Sequence, residues 1–121
     1  MGDIDGQLSW VLQCVVKEGQ LDTFKELMKE MVAGTSDEPG ARNYEWFISD
    51  DGSRVHLYEK YADSDAAIAH LNGFRANWAG RFMGCADVKG FTVYGNPSEA
   101  ARDVMAPLGA KLLAPWGGFA R

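Results

Sequence analysis

Two residues of this sequence could take part in acid–base chemistry, Glu59 and His70, and both lie within "YEWFISDDGSRVHLYEKYADSDAAIAHL", residues 44–71. The unperturbed pKa of an imidazole is about 6.5, so His70 could accept a phenolic or enolic proton at neutral pH. Glu59 alternates with Leu57 and Tyr61, and a carboxylate among such neighbours is costly to bury without a partner. We therefore expect Glu59 to pair with His70 or with an arginine, and to tune the imidazole as a general base.

Both residues also have a purely structural interpretation. The spacing of His70 from Ala67 and Phe74 places it at the edge of a helical stripe that faces a sheet, where its side chain is expected to be partly solvated. A histidine in the last turn before Gly73 is also favoured by the helix dipole. Glu59 is equally compatible with a solvated strand end, so both interpretations stay open at this level.

Aromatic side chains are the candidates for the walls of a binding site. Large rings that carry a phenol or indole hydrogen can enclose a flat organic ring, although each of them can equally belong to the core. The candidates are Tyr44, Trp46, Trp78 and Phe82, with Asn43 as a polar group that could orient a substrate oxygen.

The sequence contains little that is typical of metal, phosphate or nucleophilic catalysis. His56, which is expected to be exposed beside a hairpin, and His70 are accompanied only by scattered carboxylates, so no metal is expected. No glycine-rich segment has the strand, loop and helix context of a phosphate-binding loop. Cys14 and Cys85 fit neither a disulfide framework nor a metal-ligand spacing, and we interpret both as packing residues.

The elements that position these residues follow from hydrophobic periodicity. Alternation predicts a strand in "LSWVLQCVVK", and apolar spacing of three and four predicts a helix that ends near Gly34. Two further strands flank "DDG", which is typical of a tight hairpin. A second helix begins at Asp63 or Ser64, with an interruption expected at Gly73, and "DVKGFTVYG" is a fourth strand. The order β-α-β-β-α-β predicts an α+β, ferredoxin-like fold, followed by a short helix ending by Pro107 and an irregular apolar tail.

Composition argues against several classes of partner. The chain has 121 residues and is 46% hydrophobic, which is enough for the core of one domain. A net charge of -5, with scattered basic residues, offers no surface for nucleic acid or for an anionic membrane. The first residues lack the pattern of a secretory signal, and no apolar run is long enough to span a membrane. A cytoplasmic protein is therefore expected.

Both faces of the predicted sheet carry apolar or aromatic side chains. Tyr44, Trp46 and Ile48 share one face of the second strand, and Phe47 lies on the other. A single two-layer protomer would leave one of these faces in water. We therefore expect a symmetric homodimer.

Three segments together resemble the antibiotic biosynthesis monooxygenase family of dimeric α+β barrels, which includes small quinol monooxygenases. These segments are "EPGARNYEWFIS", "HLYEKYADSDAAIAHL" and "VKGFTVYGNPS". The most specific part of the resemblance is Glu59 followed by an alanine-rich helix that bears Ala69 and His70. The resemblance covers about residues 7–96, so that residues 97–121 are an extension of a single domain spanning 1–121.

The resemblance implies that a small aromatic or quinol-like molecule binds between sheet and helices and is oxidised by oxygen without metal, flavin or haem. Haem-degrading relatives bind iron through a histidine late in the second helix; Trp78 occupies that place here, so haem is not expected. A cofactor-independent monooxygenase of phenols, quinols or enolisable aromatic compounds is the first hypothesis. The alternatives are an isomerase that uses the same base without oxygen, and a non-catalytic dimer that binds a small molecule or another protein.

Overall fold

The computed structural model describes residues 6–121. The strands are β1 (Leu8–Val16), β2 (Ala41–Ile48), β3 (Arg54–Tyr61), β4 (Ala86–Tyr94) and β5 (Lys111–Leu113). The helices are α1 (Leu21–Ser36), α2 (Ser64–Asn77), α3 (Ala79–Cys85) and α4 (Glu99–Met105), and Ala106–Leu108 forms a 3₁₀ helix. The predicted α+β class and ferredoxin-like order are confirmed, with more regular structure after β4 than the sequence indicates.

One five-stranded sheet has the order β2-β3-β1-β4-β5 and is antiparallel except for the β4–β5 pair. Alternation along β1 places Leu8, Trp10 and Cys14 in the core, as predicted. Because β1 lies in the middle of the sheet, Trp10 pairs with Glu59 of β3 on one side and with Val93 of β4 on the other. The register therefore sets an aromatic ring beside the glutamate.

The helices contact the face of the sheet that carries these buried side chains. α1 buries Phe24, Leu27 and Met31 and ends at Ser36, slightly beyond the predicted end at Gly34. Gly34 lets the ring of Trp78 approach closely, since a Cβ at this position would lie 2.8 Å from two of its ring atoms. Within residues 6–121 no helix is long and apolar enough to cross a membrane.

The predicted interruption of the second helix at Gly73 is wrong. Gly73 lies inside α2, where a Cβ would have no heavy atom within 4 Å. The break falls instead at Trp78 (φ −127°, ψ −23°), whose indole N–H donates to Glu30 at 2.8 Å. Periodicity does not encode this tertiary contact. The start of α2 agrees with the sequence, because Asp63 is its N-cap.

The C-terminal extension folds back onto the sheet, which the prediction of an irregular tail missed. After α4, Gly109 adopts a φ of 75° and turns the chain, so that β5 pairs in parallel with β4. A strand as short as Lys111–Leu113 gives no periodic signal. The side chains of Trp116 and Phe119 remain 103% and 79% exposed in the single chain.

Both cysteines are buried and unpaired, as their interpretation as packing residues implies. Burial, together with the negative charge of Glu59, raises the pKa of the Cys14 thiol to about 12. Cys14 is therefore a neutral thiol at physiological pH and a poor nucleophile.

Candidate active site

His70 is buried, with 3% of the residue exposed. Its Nδ1 lies 3.0 and 3.1 Å from the two carboxylate oxygens of Glu38, and its Nε2 lies 3.2 Å from Glu59 Oε1. The expected partly solvated position is wrong, because the turn that carries Glu38 closes over this edge of α2. Nor does His70 end a helix, since α2 continues to Asn77.

Glu59 comes from β3, where alternation places it on the buried face with Leu57 and Tyr61, as predicted. The predicted contact with His70 is present, and among residues 6–121 no arginine forms an ion pair with Glu59. The Tyr61 hydroxyl donates to Glu59 Oε1 at 2.7 Å, so both neighbours engage the same oxygen. In the described part of the chain no side chain donates a hydrogen bond to Oε2.

Glu38 is a member of this cluster that sequence analysis missed. It lies in the turn between α1 and β2, where its N–H donates to the Thr35 carbonyl at 3.0 Å and its carbonyl accepts from the Ala41 N–H at 3.2 Å. Gly40 lets the turn pass against α2, because a Cβ here would lie 2.3 Å from the Ala66 Cβ. The letters "EPG" indicate a turn. These three residues alone do not predict that the turn contacts a histidine on a helix that is distant in sequence.

The protonation of His70 differs from the sequence-based expectation. Burial lowers the pKa of His70, but hydrogen bonds with Glu38 and Glu59 and the negative charges of both outweigh burial and raise this pKa to about 9. His70 is therefore an imidazolium at neutral pH, with a proton on each nitrogen. In this charged form the ring can donate a proton, whereas the sequence predicts a neutral imidazole that accepts one. The carboxylate of Glu59 is the member of the pair that can accept a proton.

Two tyrosines complete the polar end of the site. Burial and the negative charge of Glu59 raise the pKa of Tyr61 and of Tyr44 well above the ordinary tyrosine value, so both remain neutral phenols. Tyr61 donates to Glu59, whereas the hydroxyl of Tyr44 is buried without a hydrogen-bond partner within residues 6–121. The ring centroids of Tyr44 and His70 are 5.6 Å apart. Tyr44 thus places a neutral phenol next to the charged pair.

A cavity of about 260 Å³ adjoins this cluster. Glu59, His70 and Tyr44 form its polar wall, and apolar side chains such as Leu57 and Leu108 form the rest. Among residues 6–121, no lysine or arginine lines the cavity, and no group of three or more histidine, cysteine, aspartate or glutamate side chains could hold a metal ion. The volume lies just below the range of about 300–1,000 Å³ that is typical of ligand pockets. The cavity therefore fits a compact, apolar ligand with one polar end.

Of the five predicted substrate-binding residues, Tyr44 alone lines this cavity. Phe82 is completely buried in the core, where its ring centroid lies 5.2 Å from that of Phe24. Trp46 lines a neighbouring groove beside α1, and its indole nitrogen is buried without a hydrogen-bond partner among the described residues. For these two aromatics the alternative assignment to core packing describes the structure better.

Trp78 and Asn43 also lie away from the cavity. Trp78 donates to Glu30, an exposed residue of α1. The amide of Asn43 donates to Glu45 at 3.3 Å, on the face of β2 that points away from the helices. Sequence periodicity placed these residues on the right elements but did not place them around the site.

The chain is thus a ferredoxin-like α+β domain in which Glu59 of β3 and Glu38 of the turn between α1 and β2 flank the imidazolium of His70 on α2. The model of the antibiotic biosynthesis monooxygenase family matches residues 11–75, which is more than half of the 121 residues. The chain belongs to this family, as the resemblance indicated. A search of curated proteins gives no match.

Solved structures of low sequence identity share the fold. MupZ from Pseudomonas fluorescens is 22% identical to this chain, with a TM-score of 0.86. The match covers 96% of this chain and 95% of MupZ. Rv0793 from Mycobacterium tuberculosis is 22% identical, with 78% and 98% covered and a TM-score of 0.66. SnoaB from Streptomyces nogalater, a cofactor-independent oxygenase, is 16% identical, with 77% and 95% covered and a TM-score of 0.64. Because 96% of this chain is covered, the similarity to MupZ includes part of the C-terminal extension.

Proposed function

We propose that this protein is a cofactor-independent monooxygenase that acts on a small phenol, quinol or enolisable aromatic compound. The observation that carries the proposal is the buried pair of Glu59 and His70 on the polar wall of an otherwise apolar cavity. Membership of the antibiotic biosynthesis monooxygenase family and the similarity to SnoaB, a cofactor-independent oxygenase, support the same reaction class.

In the proposed reaction Glu59 is the base and His70 the acid. Glu59 accepts the phenolic proton, and the resulting electron-rich anion lies beside the imidazolium of His70. The anion transfers electrons to O₂, a carbon–oxygen bond forms, and His70 supplies a proton to the oxygen atom that leaves when the O–O bond breaks. The ring C–H proton is lost to Glu59 as the quinone forms, and through His70 it becomes the second proton of the departing water. A phenol with a free ring C–H and O₂ thus give a quinone and water, with one oxygen atom in each. The phenol supplies all four electrons, so the chemistry needs no flavin.

The charge of the site limits the substrate class. Glu38 and Glu59 are two carboxylates around one imidazolium, which leaves the cluster with a net negative charge. Since the imidazolium is already flanked by both carboxylates and no lysine or arginine of the described residues lines the cavity, a carboxylated, sulfated or phosphorylated ring would meet a net negative charge there. The proposed substrate is therefore neutral and carries one acidic hydroxyl that can donate to Glu59.

We also propose that the protein is a homodimer. Phe47 is 54% exposed, Ile48 is 56% exposed, and the aromatic side chains of Trp116 and Phe119 lie in solvent in the single chain. Apolar side chains in such number are typical of a surface that a second copy covers. Light scattering should therefore give the mass of two chains at micromolar concentration; the mass of one chain would contradict the proposal.

The function is tested by a thermal-shift screen with quinols, naphthols and enolic compounds, followed by oxygen-electrode measurements on those that bind. The expected result is uptake of one O₂ for each molecule converted, with an atom of ¹⁸O from labelled O₂ in the product. Conversion without oxygen uptake would identify an isomerase. Binding without any conversion would identify a non-catalytic binding protein.

A further inference from the structure

We propose that Glu38 is a positioning residue of the active site: by holding Nδ1–H of His70, it leaves Nε2 as the nitrogen that exchanges its proton with Glu59 and the cavity. This inference rests on the proposed function for its catalytic consequence. The position of Glu38 itself rests only on the structure.

The geometry gives the two nitrogens of His70 different surroundings. Nδ1 lies 3.0 and 3.1 Å from the two oxygens of Glu38, a carboxylate whose side chain is 29% exposed. Nε2 lies 3.2 Å from Glu59, whose side chain is 4% exposed and which lines the cavity with His70. Both oxygens of the partly exposed Glu38 thus contact Nδ1, and the carboxylate of Glu59, which lines the cavity, lies next to Nε2.

This arrangement completes the proton cycle of the proposed reaction. Nε2 gives its proton to the departing oxygen, and Glu59, which has just accepted a proton from the substrate, returns it across the 3.2 Å gap. Glu59 then accepts the ring C–H proton as the quinone forms. Nε2 gives a second proton to the departing hydroxide, which leaves as water, and Glu59 again returns its proton to Nε2. Protons that leave the substrate therefore end in the water molecule, and no net proton crosses to solvent. Nδ1–H stays on Glu38 throughout, so the ring needs neither to rotate nor to change tautomer.

The backbone around Glu38 supports a positioning role. The turn is held by hydrogen bonds to Thr35 and Ala41, and Gly40 packs directly against Ala66 of α2. Besides Glu38, the titratable groups that face His70 are Glu59 and Tyr61 of β3 and Tyr44 of β2. Glu38 is thus the acidic group that reaches the histidine from outside the sheet.

The test uses the full chain and the ¹⁵N NMR signals of the His70 ring, which report both its charge and its tautomer. In the wild type the ring should remain doubly protonated through neutral pH, and its neutral form at higher pH should keep the proton on Nδ1. Glu38→Gln should lower the midpoint of this titration by about 1–3 pH units, since one of two adjacent negative charges is lost. Glu38→Asp, which keeps the charge, should restore most of the shift. Asp37→Asn, a change at the exposed neighbouring acid, should have no effect.

A second readout separates this inference from the proposed function. If the wild type consumes oxygen with a phenol, Glu38→Gln should move the basic limb of its pH–rate profile to lower pH and leave the dissociation constant of the phenol unchanged. An unaltered titration of His70 in Glu38→Gln, or an altered titration with an unaltered pH–rate profile, would overturn the inference. A wild type that consumes no oxygen with any ligand would refute the proposed function, while the NMR titration would still decide whether Glu38 holds the imidazolium.

Discussion

The charged state of His70 makes the stability of the fold depend on pH in a defined window. The pKa of His70 is about 9 in the folded protein, against about 6.5 for an unperturbed histidine. Because the folded value is the higher one, the stabilisation is complete below pH 6.5 and is lost as pH rises through 9. The difference corresponds to about 3 kcal/mol of unfolding free energy. Urea unfolding followed by tryptophan fluorescence at fixed protein concentration, from pH 6 to pH 9.5, measures it.

Two variants make the origin of this loss visible. The variant His70→Gln/Glu59→Gln replaces the histidine and its buried carboxylate by neutral side chains and leaves only Glu38, whose side chain is 29% exposed. The loss between pH 6.5 and 9 should therefore largely disappear without leaving a fully buried charge unpaired. His56→Gln removes the exposed histidine of β3 and should keep the wild-type dependence. The pKa of Cys14, about 12, also lies above its usual value, but burial is the larger cause and is the same in every variant, so the titration of Cys14 contributes similarly to each of them. A wild-type stability that stays constant or rises across this window would refute the assignment of His70 as an imidazolium.

Three further outcomes follow from the same geometry. Tyr44→Phe should leave the unfolding free energy unchanged or raise it by about 1 kcal/mol, because it removes a buried hydroxyl without a hydrogen-bond partner among the described residues. A clear loss of unfolding free energy in urea would show that this hydroxyl forms a hydrogen bond. Gly40→Ala should lower the unfolding free energy by about 1–3 kcal/mol through the clash with Ala66, whereas Gly73→Ala, in open space inside α2, should raise it by about 0.5–1 kcal/mol. A naphthol should bind at least about tenfold more tightly than the corresponding naphthoate by calorimetry, since the one imidazolium of the cavity is already flanked by two carboxylates and no lysine or arginine of the described residues lines the cavity. Equal affinities would contradict the proposed substrate class.

The contact between Glu59 and His70 could be predicted because both residues belong to periodic elements. Alternation in β3 fixes the face that carries Glu59, and helical spacing fixes the stripe of α2 that carries His70. Once the strand and helix are packed in the ferredoxin-like order, the two side chains point into the same layer. The local pattern and the fold class were therefore sufficient to predict the contact between Glu59 and His70.

Glu38 and the charge of His70 could not be predicted in the same way. Glu38 lies in a turn, and the path of a turn depends on what it packs against, here Ala66 of α2 through Gly40. The pKa of His70 then depends on both carboxylates, so the missing partner also reversed the expected role of the histidine. Only Tyr44 of the predicted lining borders this cavity, because parity gives a face of the sheet but not the part of that face where the cavity lies.

The assignment of Glu59 as the base is tested most directly by oxygen uptake of Glu59→Gln with the best phenol or quinol from the screen. Glutamine keeps the shape of the side chain but cannot accept the substrate proton, and general-base catalysis typically contributes about 10²–10⁴-fold. We expect the turnover rate to fall by at least about 100-fold, with the dissociation constant of the phenol nearly unchanged. The matched variant Glu45→Gln, at an exposed glutamate of β2, should keep the wild-type rate. Turnover by Glu59→Gln at the wild-type rate would contradict the role of Glu59 as the base.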